Sequence, residues 1–156
     1  MSFMRLTIGA VAFGLVATLA TAQETGRTLD SEGDWVLRKT ERSSGGSAAC
    51  ILAPKDPSRI RIVGDRLEVT GLPKNSLFNY RYRIDDGPVS RVMFPTAPMQ
   101  EAGAITLDGE VFDHILNGQR FSIRLLDRWH EALTEEISLA GLRSLRDRST
   151  GACTSP

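Results

Sequence analysis

The chain has 156 residues with 19 basic and 19 acidic side chains, and 41% of it is hydrophobic. That length fits one domain, and balanced charge gives no electrostatic reason to expect a nucleic-acid partner. Its two histidines and two cysteines form no H-x-x-x-H, no C-x-x-C and no His-rich tract, the patterns a metal site draws on.

The N-terminus reads MSFMR and then LTIGAVAFGLVATLA, an uncharged and mostly apolar run. Ala20 and Ala22 follow as an A-x-A site with Gln23 next. This is the layout of a secretory signal peptide over residues 1–22, cut between Ala22 and Gln23. The run is shorter than the about 20 residues that cross a hydrocarbon core. No later stretch is long and apolar enough to do so, and no transmembrane span is expected after cleavage. Cleavage removes one basic residue, Arg5, so the mature chain carries a slight negative excess.

Residues 23–33, QETGRTLDSEG, lack periodicity and read as a flexible leader. DWVLRKTE (34–41) reads as a strand with Trp35 as core anchor, and RSSGGS (42–47) as a loop. AACILA (48–53) is a short apolar run that fits a buried strand. APKDPS (53–58) breaks it, because two prolines cannot both join a ladder. RIRIVGDRLEVTGL follows as a hairpin: Ile60 and Ile62 alternate with Arg59 and Arg61, and Leu67 and Val69 alternate with Arg66 and Glu68, around Gly64-Asp65.

In LFNYRYRIDDGPVSRVMF, Tyr80, Tyr82 and Ile84 share one face and Arg81 and Arg83 the other. Asp85-Asp86-Gly87-Pro88 signals a turn, and Val89–Phe94 is expected to return as the partner strand. PTAPMQEAG (95–103) reads as a loop and AITL (104–107) as a brief strand. Asp108 is positioned to cap a helix bearing Val111, Phe112, Ile115 and Leu116, stopped by Asn117-Gly118. QRFSIRLL (119–126) and LTEEISL (133–139) are strands separated by the turn DRWHEA. Ser138 is the candidate cap of a last helix with an apolar stripe of Leu139, Leu142 and Leu145. Arg143, Arg146 and Arg148 lie towards its C-terminal end, where positive charge suits the helix dipole. Many short strands predict a mainly β domain over 34–156, a sandwich or strongly curved antiparallel sheet with two short helices. An α+β arrangement is the alternative.

Two thiols in an exported chain predict one disulfide, Cys50–Cys153. Such a bridge fastens the polar C-terminal tail to an early strand.

The order of parts then matters: GDWVLRKT, SAACILA, YRIDDGPVSR, VFDHILNGQRFSIRLL and ISLAGLRSL. Taken together, from Trp35 to Leu145, the chain resembles the invasion-associated locus B family of small exported bacterial proteins. It departs from that family's pattern in PTAPMQEAGAITLD, which has no cysteine pair where members often carry further cysteines. The resemblance implies a periplasmic or surface-associated role in the envelope or in host contact, without catalysis or cofactor. It brings no active-site residues, only Cys50 as a structural cysteine and the Trp35 strand as core.

Chemistry-bearing residues are sparse. His114 and His130 have no partners at ligand spacing. Asp85 and Asp86 are adjacent carboxylates in an ordinary turn, where acid–base work needs two separated environments. Ser43, Ser44 and Ser47 lie in S-S-G-G-S, which is neither a nucleophile elbow nor a phosphate loop. Arg59, Arg61, Arg81 and Arg83 form the candidate binding set. If the two hairpins adjoin, these side chains line one sheet face able to hold an acidic protein, an anionic glycan or a lipid headgroup. The expected function is therefore non-enzymatic recognition by an exported envelope protein. The alternatives are a small periplasmic hydrolase or enzyme inhibitor, and a carrier of a small apolar ligand.

Overall fold

The computed structural model describes residues 26–40 and 49–154, of which 150–154 are described by backbone alone. The signal segment 1–22, the serine-rich loop 42–47 and the side chain of Cys153 lie outside the described residues. Two antiparallel sheets and three short helices are present among them, a mainly β architecture.

The larger sheet runs in the order β1 (Arg27–Glu32), β2 (Trp35–Thr40), β3 (Ala49–Pro54), β4 (Ile60–Val63), β5 (Arg66–Val69) and β7 (Ile105–Asp108). The smaller one holds β6 (Leu77–Ile84), β8 (Arg120–Asp127) and β9 (Ala132–Ser138). Alternation within each strand sets the faces. Register then aligns Leu37, Leu52, Ile62, Leu67 and Leu107 in one apolar row across the larger sheet. Across the smaller sheet, Tyr80 meets Leu125, and Ile84 meets Phe121 and then Ile137. Both rows join one buried cluster, with Trp35 and Phe121 as its largest fully buried side chains. Each aliphatic side chain so buried contributes about 1.5–3 kcal/mol.

The helices are α1 (Ala97–Ala102), α2 (Gly109–Asn117) and α3 (Leu142–Thr154). Helix α2 turns Phe112 and Ile115 into the core and packs on β5 and β7; α3 packs on β1, β2, β3 and α2. The Leu139, Leu142 and Leu145 stripe is buried, as the sequence predicts. The helix starts at Leu142, however, so Ser138 is not its cap; the Ser138 hydroxyl accepts from the Ala140 N–H instead. Asp108 precedes α2 but makes no side-chain cap bond. Gly118 ends α2 in extended backbone rather than the left-handed form. It is small because Ile84 presses on it: a Cβ there would lie 2.7 Å from Ile84 Cγ2.

Four further expectations are corrected. The leader is in part a strand, because Arg27–Glu32 pairs with β2. Residues 95–103 hold α1 rather than a loop alone: Thr96 caps it, a proline sits in its first turn, and Gly103 closes it at φ 62°. Among the described residues there are therefore three helices, not two. Val89–Phe94 does not return as a strand. The partner of β6 is β8, and only the Tyr80–Met93 bridge and the Ser90 N–H to Tyr82 carbonyl bond line its other edge. Pro88 lacks an N–H, and the Ser90 hydroxyl takes the Tyr82 N–H at 3.0 Å, a ladder bond that a strand would have supplied.

Helix α3 is also held by charge. Arg148 Nε donates to Asp30 at 2.9 Å and its Nη1 to Glu32, and Ser144 donates to Glu32 at 2.7 Å. The Arg148 bond holds the Asp30 carboxyl below its usual range; the Ser144 and then the Arg148 bonds do so for Glu32. Carboxyls lowered in the folded state stabilise it above their unfolded pKa values, and that contribution fades as pH falls through the folded ones. All three groups are solvent-exposed, so the effect is small. Arg148→Gln is expected to lower the denaturation midpoint slightly at neutral pH and by less at low pH, as the two lowered carboxyls take up protons. An equal drop at both pH values would show that the arginine acts through packing alone.

Candidate functional site

The two sheets separate the predicted arginine set. Arg59 precedes β4 and pairs with Glu135 at 3.6 Å, and Arg61 on β4 pairs with Glu68 at 3.0 Å. Arg61 belongs to the larger sheet, and Arg59 lies in the bend that leads into it. Arg81 and Arg83 lie on β6 in the smaller one. The expected single face of four arginines is therefore not formed: β6 leaves the sheet that β4 and β5 build.

What forms instead is the outer face of β6 and β8. Tyr80, Phe121, Ile123 and Leu125 are buried on the inner side, which turns Arg81, Arg83, Ser122 and Arg124 outward. Burial pushes the Tyr80 hydroxyl above its ordinary pKa. Arg81 stands directly opposite Arg124, and Arg83 opposite Ser122. Like charges at facing positions destabilise a sheet. Several arginines elsewhere are neutralised: Arg66 by Glu68, Arg120 by Asp86 and Glu136, Arg146 by Asp65, and Arg148 by Asp30 and Glu32. Arg81, Arg83, Arg91, Arg124 and Arg128 make no ion pair with the described residues.

Exposed rings border these arginines. A register shift between Leu77 and Asn79 places Phe78 in a bulge, 46% exposed. Its ring meets Phe94 edge to face at 6.1 Å and stacks with His130 at 6.2 Å. Next to His130, Trp129 is 72% exposed. The loop that carries them is a tight β8–β9 connection. His130 sits at φ 67°, the left-handed position such loops require. Asp127 Oδ1 accepts the N–H groups of Trp129 and Glu131 at 2.9 and 2.8 Å. The indole is thus presented on a braced hairpin tip. Among the described residues the large exposed hydrophobics are Phe78, Val89, Phe94 and Trp129, all on or beside β6 and this loop, and Leu29 on β1.

The other candidates are absorbed by the fold. Asp85, not Gly87, takes positive φ in the D-D-G-P turn, at 53°. Its Oδ1 accepts the N–H groups of Gln119 and Arg120 at 2.7 and 2.8 Å, which fixes the start of β8. Asp86 accepts from Arg120 at 2.6 Å. His114 is exposed on α2. A cleft of about 690 Å³ lies between the end of α2 and the start of α3, where Arg143 bonds Asn117, and Arg148 and Ser144 bond Glu32. No group of three or more His, Cys, Asp or Glu side chains placed to hold a metal occurs among the described residues. No described helix is long and apolar enough to cross a membrane. Cys50, on β3, packs against the core and is not a free cysteine.

Arg124, Phe78, Phe94 and Trp129 are not singled out by sequence. The signals were present: Phe78 breaks the apolar alternation of β6, and Trp129 stands in an otherwise polar turn. No family model matches this chain, and no curated protein and no solved structure matches it either.

Proposed function

We propose that this protein is an exported, non-enzymatic recognition domain of a bacterial envelope, periplasmic or secreted, akin to the invasion-associated locus B proteins. Its contact surface is the outer face of β6 and β8. One observation carries this reading: two arginines without acidic partners face each other beside solvent-exposed aromatic rings, while Arg61, Arg66, Arg120, Arg146 and Arg148 pair with carboxylates. A face kept only for solubility needs no exposed Phe or Trp, and unpartnered rings rimmed by polar residues mark interaction sites. Asp85, one of the residues that sequence offered for catalysis, serves the backbone instead.

Export is supported by the N-terminal layout, and a Cys50–Cys153 disulfide follows from it. Helix α3, which carries Cys153, packs against β3, which carries Cys50. Material recovered from cells is expected to begin at Gln23 and, unfolded without reductant, to react with no thiol reagent.

The recognition reading is tested on isolated envelopes. Mature protein should sediment with them, and Arg81→Gln combined with Arg124→Gln should lower the bound fraction about tenfold, the loss of roughly two favourable charge contacts. Arg59→Gln, in the bend before β4, should leave it unchanged. Equal binding by all three proteins would remove this face from the function.

A further inference from the structure

We infer that the outer face of β6 and β8 docks on an anionic lipid surface, with the rings at the hairpin end entering the headgroup layer. The inference rests on the recognition reading above and names its ligand class.

Two features of the face select lipid over other anions. The first is the separation of its parts. The rings cluster at one end, on the bulge of β6, residue 94 and the β8–β9 tip, where Arg128 joins them, while Arg81, Arg83 and Arg124 lie further along the strands. A polyanionic glycan or single-stranded nucleic acid needs flat rings interleaved with cations, so that sugars or bases stack in turn. Here Phe78 and Phe94 stand edge to face, at 79°, and offer no platform for a sequence of stacked units. The second is the chemistry of the rings. The two phenylalanines carry no polar group to meet a hydroxyl, whereas Trp at the tip is the residue that settles at a membrane–water boundary.

The spacing also fits. Arg124 lies three residues before Asp127, so the Arg81–Arg124 pair stands about 10 Å behind the loop. The polar layer of a bilayer is about 5–8 Å deep on each side. With the tip inserted, Arg128 and the Arg81–Arg124 pair meet the phosphates. Guanidinium forks suit phosphate oxygens, and bound phosphates relieve the repulsion between the facing arginines. Arg83 lies about 7 Å further back and contributes least. Each arginine at the surface strengthens binding roughly fivefold, and salt weakens it.

The test uses disulfide-intact mature protein and vesicles of phosphatidylcholine, with and without phosphatidylglycerol. Sedimentation should show at least about tenfold tighter binding to the anionic vesicles. Brominated acyl chains should quench the indole of Trp129 and not that of buried Trp35, with Trp129→Phe abolishing the quenching. Trp129→Ser and Phe78→Ser should each weaken binding about tenfold, Arg81→Gln with Arg124→Gln about 25-fold, Arg83→Gln less, and Arg59→Gln not at all. Far-UV circular dichroism confirms that each variant is folded. Absent or equal binding to both vesicle types overturns the lipid assignment. If envelope binding then persists and is lost on protease treatment, the ligand is a protein; if it is displaced by a soluble anionic glycan, the ligand is that class. In both cases the recognition reading survives. Loss of envelope and vesicle binding together overturns both.

Discussion

Trp35→Ala is expected to destabilise the fold by about 3–5 kcal/mol, the scale of truncating a buried aromatic side chain. Trp35 is fully buried, and its position is unusual in joining the two sheets. The ring belongs to β2 of the larger sheet, while its Nε1–H donates to the Ser138 carbonyl, the last residue of β9, at 2.9 Å. Truncation therefore opens a cavity and also leaves a part-buried carbonyl without its donor. Trp35→Phe separates the two effects. It keeps most of the apolar volume and deletes the donor, at a cost of about 1–3 kcal/mol. Guanidinium denaturation of both variants gives the comparison, with the midpoint falling while the slope stays constant. A loss for Trp35→Ala no larger than the about 0.5 kcal/mol of a surface change would show that this side chain does not join the sheets.

The second large effect is expected on removing the disulfide proposed above. A bridge from Cys50 to Cys153 closes a loop of about 100 residues, and in the chain-entropy account it stabilises the fold by up to about 4.7 kcal/mol. Cys50→Ser, or reduction of the native protein, should shift the denaturation midpoint by most of that amount. The slope should rise as well, because the unfolded chain becomes freer to expand. Helix α3 should remain docked in the reduced protein, since Leu142 and Leu145 are fully buried and Arg146 and Arg148 reach Asp65, Asp30 and Glu32. An unchanged midpoint after reduction would remove the disulfide from the account of stability.

The parts legible in the sequence are those where one face is wet and the other dry. Ile60 to Val69 declared a hairpin because Arg61 and Glu68 alternate with buried Ile62 and Leu67, and Gly64 supplies the turn at φ 59°. The leucine stripe of α3 was readable for the same reason. Strand β1 was not: RTLDSE is mostly exposed at the sheet edge, so it has no buried face to impose a period. Helix α1 buries no residue and is only one and a half turns long, so its Thr96 and Gly103 caps were its sole signal. The pairing of β6 with β8 is a long-range choice, and the local turn at Asp85 pointed to Val89–Phe94 instead. That misassignment spread to the site. Two of the four arginines were placed on the right face, but Arg124, Trp129 and His130 reach it only through β8 and its loop.

The excursion of β6 bears on how the protein is made. The larger sheet is interrupted after β5, and the chain must visit the second sheet and return before β7 can lie against Val69. Until Ile105 has been synthesised, β5 presents a bare edge, and such edges recruit strands from other chains. Products that stop short of β7, whether nascent or nicked in the 95–104 connection, are for that reason the forms of this protein most prone to self-association.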